Sequence, residues 1–304
     1  MDIQFIKSTD ADHLLNWQMI CNAIIEGHKL PKAQLGDQFL ECGDKTVLSR
    51  AAAIPGLGQG VKTVTVTPDN PQRNLPTVQG AMLIFDDETG TPKAMIESDI
   101  VTKWKTAGDS VLGAKLLANP EPENLLVVGA GTVGDNLIDA YRAVFPSIKN
   151  VSIWNRTFKN AEKLAAQKDA VAVENLAEAC GRNDIVSAAT YCLEPLIKGA
   201  WIKPGTHVDL IGAFKADMRE ADDALLQKSR LFVDSFETTL EHIGELMIPL
   251  ASGAIERSAV LGDFYDLVPN KAGRQSKDEI TVFKNGGGAH LDLMVADRIW
   301  KAVN

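Results

Sequence analysis

The feature that most constrains the fold of this chain is a G-x-G-x-x-G pattern at residues 129–134. It directly follows the short apolar run Leu125–Val128 and opens a segment with helical periodicity. A glycine pattern alone carries little information, but one placed between a strand and a helix is typical of a dinucleotide-binding βαβ unit. In such a unit Gly129 allows a tight turn, Gly131 lets the backbone approach a pyrophosphate, and Gly134 lets the helix pack on the strand.

The helix that begins in this loop would present free N–H groups and a positive dipole to the phosphates of a dinucleotide. We therefore predict cofactor contacts along the whole loop, at Gly129, Ala130, Gly131, Thr132, Val133 and Gly134. The alternative interpretation is a glycine-rich turn that binds no ligand.

After the loop, apolar strand runs alternate with helical segments. Strands are predicted at Val151–Trp154, Ala170–Val173, Asp184–Ala189, Val208–Ala213 and Leu231–Ser235. Helices are predicted at about 133–144, 160–167 and 176–180. This alternation is typical of a doubly wound parallel sheet with right-handed crossovers, so we expect an α/β Rossmann fold here.

The part of the chain before the loop has a different pattern of predicted elements. A strand and a helix around Asp10–Glu26 precede a series of short β-type runs at residues 47–52, 61–66, 81–85 and 94–96. A turn is predicted at residues 86–90, because Asp and Gly suit turn geometry. A helix from about Asp99 to Ala118 ends before Pro120, since proline disfavours helix in the residue before it. The proline-rich segment 119–124 is therefore the predicted domain boundary.

Composition narrows the functional classes. The chain carries 40 acidic and 31 basic residues and a net charge of −9, which disfavours a general nucleic-acid binder because phosphate neutralisation needs Lys and Arg. No apolar run approaches the ~18–20 residues of a membrane span, and the N-terminus lacks the regions of a signal peptide. Four cysteines without a CxxC pair are not a disulfide framework, and the five histidines form no metal-binding pattern. We expect a soluble cytoplasmic protein that binds no metal, nucleic acid or membrane.

The end of the second Rossmann strand bears on the choice of cofactor. An NAD site usually places Asp or Glu about 20 residues beyond the glycine loop to bind the ribose 2′-hydroxyl. Here the residues are Asn155, Arg156 and Thr157, beginning 21 residues after Gly134, and none is a carboxylate. Arg156 can pair with a 2′-phosphate and Thr157 can donate a hydrogen bond to it, so we predict that NADPH is preferred over NADH. The alternative is that Arg156 is an ordinary solvated surface charge.

Three cations in the first part of the chain are candidates for substrate binding. Lys62 lies inside a β-type run, and alternation alone favours a solvent-facing side chain. Arg50, on the preceding strand, could share a face with Lys62, and two convergent cations would suit a substrate carboxylate. Lys105 and Asp109 are spaced i, i+4 on a predicted helix, which is typical of an exposed ion pair worth a few tenths of a kcal/mol.

Taken together, the chain resembles the ornithine cyclodeaminase/mu-crystallin family. The runs that carry the resemblance are Gly60–Val64, Pro68–Asn70, Leu75–Gly80, Phe85-Asp86, Thr89-Gly90, Thr102–Ala107, Val128–Gly131, Arg219-Glu220, Gly273-Arg274 and Ile280–Lys284. The resemblance implies a Rossmann domain joined to a second α/β domain that binds substrate and forms a homodimer. It also implies that the last helix, predicted at Leu291–Val303, returns to the first domain. The expected domains are therefore 1–119 with 290–304, and 120–289.

The resemblance also implies roles for individual residues. Arg50 and Lys62 match the family's substrate-carboxylate and catalytic cations. Lys105 stands where the family's T-x-x-R-T motif usually has Arg, and Lys is a point charge rather than a bidentate fork. Thr77 and Thr190 match further cofactor-binding positions.

One departure from the family pattern points to a simpler reaction. Cyclodeaminases of this family carry an Asp just after the glycine that ends the strand before the Arg-Glu segment. Phe214 stands there in this chain, and Asp217 comes three residues late. We therefore expect NAD(P)H-dependent reduction of a cyclic ketimine acid, with Δ1-pyrroline-2-carboxylate reduced to L-proline as the first choice.

Three alternatives stay open at this stage. The chain could be an ornithine or lysine cyclodeaminase, which would release ammonia, or an alanine-type amino-acid dehydrogenase. It could also be a mu-crystallin-like protein that binds NADPH and a small ligand without turnover. The β-rich segment between Val47 and Ile96 offers strand edges and apolar surface, which agrees with the expected homodimer.

Overall fold

The computed structural model describes residues 3–304 and divides the chain into two compact units. The first unit combines the described residues up to Lys105 with Gly288–Asn304, and the second unit is Thr106–Gly287. The domain boundary at the proline-rich segment 119–124 stays a prediction.

Thirteen strands and eleven helices make up the described chain. The strands are β1 (Gln4–Ile6), β2 (Gln34–Cys42), β3 (Lys45–Ile54), β4 (Gly58–Val66), β5 (Val78–Phe85), β6 (Pro92–Glu97), β7 (Asn124–Val128), β8 (Asn150–Trp154), β9 (Val171–Ala172), β10 (Ile185–Ala188), β11 (His207–Leu210), β12 (Arg230–Val233) and β13 (Thr281–Lys284). The helices are α1 (Ser8–Ala11), α2 (Trp17–His28), α3 (Ser98–Leu117), α4 (Thr132–Val144), α5 (Phe158–Lys168), α6 (Leu176–Arg182), α7 (Asp223–Lys228), α8 (Phe236–Thr239), α9 (Gly244–Ser252), α10 (Phe264–Leu267) and α11 (Ala289–Val303). Among residues 3–304, no helix combines the length and apolar character needed to cross a membrane.

The single helix predicted around Asp10–Glu26 is wrong. The chain forms the short helix α1, a 3-10 turn and then α2. The break lies at Asn16, whose backbone is extended (φ −144°, ψ 160°) and whose side chain accepts a hydrogen bond from the Met19 N–H at 3.0 Å. Asn in this position is a strong N-cap, so it starts a new helix instead of continuing the old one.

The first unit contains a six-stranded sheet in the order β1-β6-β5-β4-β3-β2, antiparallel except for the β1–β6 pair. Helix α11 packs against α2, β3 and β4. Along β4, Gly58, Gly60, Lys62 and Val64 are buried, while the residues between them are more exposed. Lys62 therefore lies on the covered face of the sheet, and the solvent-facing position that alternation suggested is wrong.

The second unit contains a seven-stranded parallel sheet in the order β12-β13-β11-β10-β7-β8-β9. This confirms the predicted α/β class and the doubly wound Rossmann sheet. Strand order reverses between β7 and β10, and in such sheets ligands bind at the carboxyl ends of the strands near this reversal. The strand β13 was not predicted. It inserts between β11 and β12 and buries all four of its residues, including Lys284.

Candidate functional site

The glycine loop connects β7 to α4, and each of its three glycines has a different environment. Gly129 adopts φ +116°, a conformation that favours glycine, and a Cβ there would lie 2.5 Å from the carbonyl oxygen of Ala189. A Cβ on Gly134 would collide with the carbonyl oxygen of Gly129. By contrast, a Cβ on Gly131 would meet no atom within 4 Å, so open space lies beside the N-terminus of α4. This arrangement fits a pyrophosphate group.

The end of β8 lies beside this loop. The Asn155 Oδ1 accepts a hydrogen bond from the Ala130 N–H at 3.2 Å, and the Asn155 Nδ2 donates to the Thr157 carbonyl at 3.0 Å. Arg156 is exposed, and Thr157 is the N-cap residue of α5 without using its side chain as a cap. The structure thus brings the loop and the Asn155–Thr157 segment to one sheet edge.

Thr190 follows β10 at the same edge and is held by a buried carboxylate. The Thr190 N–H and Oγ1 both donate to the Glu220 Oε1, at 2.8 and 2.7 Å, and the Gly212 N–H donates to the Glu220 Oε2 at 2.5 Å. Glu220 therefore joins the carboxyl ends of β10 and β11. Burial raises the pKa of Glu220 to about 8. The sequence singled out Glu220 only as part of a resemblance, with no role.

Below this edge lies a buried charged network. The Lys284 Nζ donates to the Leu210 carbonyl at 2.9 Å and to the Asn285 carbonyl at 2.7 Å. Burial lowers the pKa of Lys284, and the nearby Glu220 and Glu245 carboxylates oppose that change. Glu245 in turn accepts the Glu220 N–H at 2.7 Å. A buried network with its hydrogen bonds satisfied holds its members in one arrangement.

Thr77, the remaining predicted cofactor residue, belongs to the first unit. It is half-buried, and its carbonyl accepts a hydrogen bond from the Thr67 N–H at 2.8 Å. Its role as a cofactor contact stays a prediction.

Two of the predicted substrate-binding cations lie side by side in the first unit. Arg50 and Lys62 are direct partners in the β3–β4 register, so they share a face of the sheet. Arg50 binds the Asp37 carboxylate through Nε and Nη2 at 2.9 and 2.8 Å. Lys62 is 8% exposed, and its Nζ lies 2.7 Å from the Oδ1 of Asp292, which is fully buried in α11. Arg50 and Lys62 thus form part of a cluster of cations that is partly shielded from water.

Lys105, on α3, is the third cation and is also buried. Burial lowers the pKa of Lys62; Asp292 opposes this effect, while the charges of Lys105 and Arg50 add to it. Lys105 and Arg50 therefore both lie close enough to Lys62 to influence its charge. Since Lys105 and Asp109 are both buried, the prediction of an exposed helical ion pair is wrong.

Sequence reasoning missed the residues that α11 contributes to the surroundings of Lys62. His290 is fully buried, and neither ring nitrogen has a hydrogen-bond partner within residues 3–304. The pKa of His290 lies well below its ordinary value, so its ring is neutral. Burial is the largest cause, followed by His28 and by the charges of Lys105 and Arg50. Asp292 follows two residues later. The available signal was a carboxylate inside the otherwise apolar stretch 291–296, which needs a cation as partner if it is buried.

No group of three or more His, Cys, Asp or Glu side chains arranged to hold a metal ion occurs in the described part of the chain. Two sets of side chains are candidates for the chemistry of this chain: those at the dinucleotide-type edge of the second unit and those of the cation cluster in the first unit.

The chain is similar to proteins of one family over nearly its whole length. The model of the ornithine cyclodeaminase/mu-crystallin family matches residues 51–304. Delta(1)-pyrroline-2-carboxylate reductase of Paracoccus denitrificans is 57% identical over 302 residues, which cover 97% of this chain and 96% of that protein.

Two solved structures share the fold. Thermococcus litoralis Delta(1)-pyrroline-2-carboxylate reductase, in complex with NADH and L-proline, has 27% identity and a TM-score of 0.88, covering 99% of this chain and 97% of that chain. An archaeal alanine dehydrogenase dimer with bound NAD has 28% identity and a TM-score of 0.90, covering 99% and 96%. These likenesses confirm the resemblance that the sequence motifs carried: the chain belongs to the ornithine cyclodeaminase/mu-crystallin family.

Proposed function

We propose that this chain is an NAD(P)H-dependent reductase of cyclic imino acids that converts Δ1-pyrroline-2-carboxylate to L-proline. The observation that carries the proposal is the buried Lys62 ammonium beside Arg50, in a chain that also has a dinucleotide-type loop. The names of the Paracoccus relative and of the Thermococcus neighbour support the same reaction.

The cation cluster suits both parts of such a substrate. Arg50 and Lys105 pair with the carboxylate, which a partly dry site binds more strongly than water does. Lys62 adds charge to the same group and donates a proton to the ring nitrogen. Its lowered pKa favours that transfer, because an acid works best when its pKa lies near the operating pH. Reduction of C=N needs this proton on nitrogen and a hydride on carbon.

The second unit would hold the cofactor through the glycine loop, Asn155–Thr157 and Thr190. When bound, a reduced nicotinamide supplies the hydride. The exposed Arg156 and the hydroxyl of Thr157, at the N-terminus of α5, are suited to a 2′-phosphate. We therefore propose a preference for NADPH, with NADH as the second choice.

Phe214, which stands where cyclodeaminases of the family carry an Asp, favours imine reduction over cyclodeamination. Phe214 is 58% exposed and lies edge-on to Tyr191, with ring centroids 6.2 Å apart. An aromatic ring can line an apolar substrate ring but can neither accept a proton nor hold an ammonium as a carboxylate does. This disfavours deamination of a diamino acid.

The outer face of the first sheet supports a homodimer. One row across it consists of Phe5, Met95, Leu83, Val61 and Ala51, which are paired in register. Phe5 and Met95 are exposed, and a continuous apolar row of this kind favours burial against a second surface. The archaeal neighbour is itself described as a dimer. We propose that two copies of this chain associate through this face.

Cofactor oxidation with a panel of substrates tests the proposed function. We expect fast oxidation of NADPH with Δ1-pyrroline-2-carboxylate and slower oxidation with the six-membered ketimine acid. Release of ammonia from L-ornithine would instead establish a cyclodeaminase, and oxidation with pyruvate plus ammonium an amino-acid dehydrogenase. Tight NADPH binding without turnover of any imine would favour the non-enzymatic alternative.

A further inference from the structure

The fully buried carboxylate of Asp292 forms one ion pair within residues 3–304, with Lys62. Its Oδ1 lies 2.7 Å from the Lys62 Nζ, and its Oδ2 has no hydrogen-bond partner among residues 3–304. A buried ionised carboxylate is costly unless a cation compensates it. The two side chains therefore depend on each other, although 230 residues separate them in the chain.

The groups around Lys62 act on its charge in opposite directions. From α3, Lys105 disfavours a charged Lys62, and from β3, Arg50 does the same. From β5, the in-register neighbour Met82 is apolar and fully buried. Asp292, from α11, has the opposite effect and favours the charged amine through both its charge and its hydrogen bond.

His290 on α11 and His28 on α2 are two further titratable groups that are buried on this covered face. Burial lowers the pKa of both, to about 4 for His28, so both are neutral at ordinary pH and supply no negative charge. The charge balance at Lys62 consequently depends on Asp292.

We propose that Asp292 is the positioning residue that keeps Lys62 charged and directs its ammonium toward the substrate. This rests on the proposed function, in which Lys62 donates a proton to the ring nitrogen. A neutral Lys62 would have no proton of sufficient acidity to give and would not balance the substrate carboxylate. The helix α11 thus supplies part of the reaction machinery from the far end of the chain.

The test is the pH profile of kcat/KM for Δ1-pyrroline-2-carboxylate in the wild type, Asp292→Asn and Asp292→Glu. In the wild type, activity falls at alkaline pH as Lys62 loses its proton. For Asp292→Asn we expect that alkaline limb to move down by about one pH unit or more, which is about a tenfold loss above the new pKa and a partial recovery at lower pH. Asp292→Glu keeps the negative charge, so its limb should stay near the wild-type position while kcat falls because the ammonium is displaced.

The matched control is Asp297→Asn on the same helix. Asp297 is also buried, but its partners are Lys93 and Lys301, so its profile should keep the wild-type limb. An unshifted limb in Asp292→Asn, with activity either unchanged or reduced equally at every pH, would overturn the proposal. If Asp292→Asn does not fold, a downward-shifted limb in Asp292→Glu would overturn it as well.

A second measurement separates this inference from the proposed function. The Lys62 amine can be titrated by NMR in protein with 15N-labelled lysine side chains, assigned with Lys62→Arg and without substrate. A lower Lys62 pKa in Asp292→Asn supports the inference even if the wild type reduces no imine. An unchanged pKa refutes it even if the reductase activity is confirmed.

Discussion

Removing the Lys62 charge should destabilise the protein far more than its place in a β-strand suggests. The substitution Lys62→Met keeps most of the side-chain length and leaves Asp292, which is 0% exposed, without its cation. Breaking a buried pair by removing one partner costs about 3–5 kcal/mol. A solvated strand residue would change the free energy of unfolding by less than about 0.5 kcal/mol.

A double-mutant cycle measures how much of this cost is the unpaired charge. Lys62→Met and Asp292→Asn should each be strongly destabilising, and the double variant should cost clearly less than their sum, because it leaves no isolated charge. Urea unfolding followed by circular dichroism, without ligand, gives the four free energies. Lys93→Met is the matched control, since its partner Asp297 keeps Lys301 at 2.7 Å and the loss should stay near 1 kcal/mol. If Lys62→Met costs no more than the control, or if the cycle is additive, the reasoning about the pair is wrong.

Four further outcomes are expected. Arg156→Ala should lower the ratio of kcat/KM for NADPH to that for NADH by about tenfold to a hundredfold, the value of one charge-assisted contact; steady-state kinetics would contradict this if the ratio did not change. Lys62→Ala should still bind NADPH yet lose at least about a hundredfold in kcat/KM for the imine acid, and near-normal turnover in the folded variant would remove Lys62 from the site. Burial lowers the pKa of His28 to about 4, so below pH 6.5 the unfolded chain binds more protons than the folded chain does. Between pH 7 and pH 5 the free energy of unfolding of the wild type should therefore fall by about 2 kcal/mol more than that of His28→Gln. Urea unfolding at the two pH values measures this difference. Light scattering should find a dimer for the wild type and a monomer for Leu83→Glu, and a monomeric wild type would rule out the proposed interface.

The second unit could be predicted from sequence because its signals are local. Each signal spans only a few residues: the glycine loop, the apolar run of β7 and the proline-rich segment. In the structure β7, α4 and β8 lie close to their predicted bounds. The strand β13 escaped prediction because it is four residues long and ends in Lys284, whose burial depends on distant carboxylates.

The candidate site was less predictable because its contacts are long-range. Alternation placed Lys62 on a solvent face, since no neighbouring residue reveals that Asp292 will cover it from α11. Thr190 and Glu220 meet across 30 residues, and nothing within either segment signals that contact. The family resemblance singled out Lys62 as a candidate site residue, whereas its partner Asp292 was found only in the structure.

The split of the first unit into two stretches of chain has a consequence for biosynthesis. The second unit is continuous, so a growing chain can complete its sheet as soon as Gly287 has left the ribosome. The six-stranded sheet made earlier must wait, because the helix that covers β3 and β4 is translated after all of the second unit. During that interval its apolar inner face and the unpaired Lys62 are open to solvent and to other nascent chains. Helix α11 thus closes the first unit, and gives the buried lysine its carboxylate, only after the second unit has been translated.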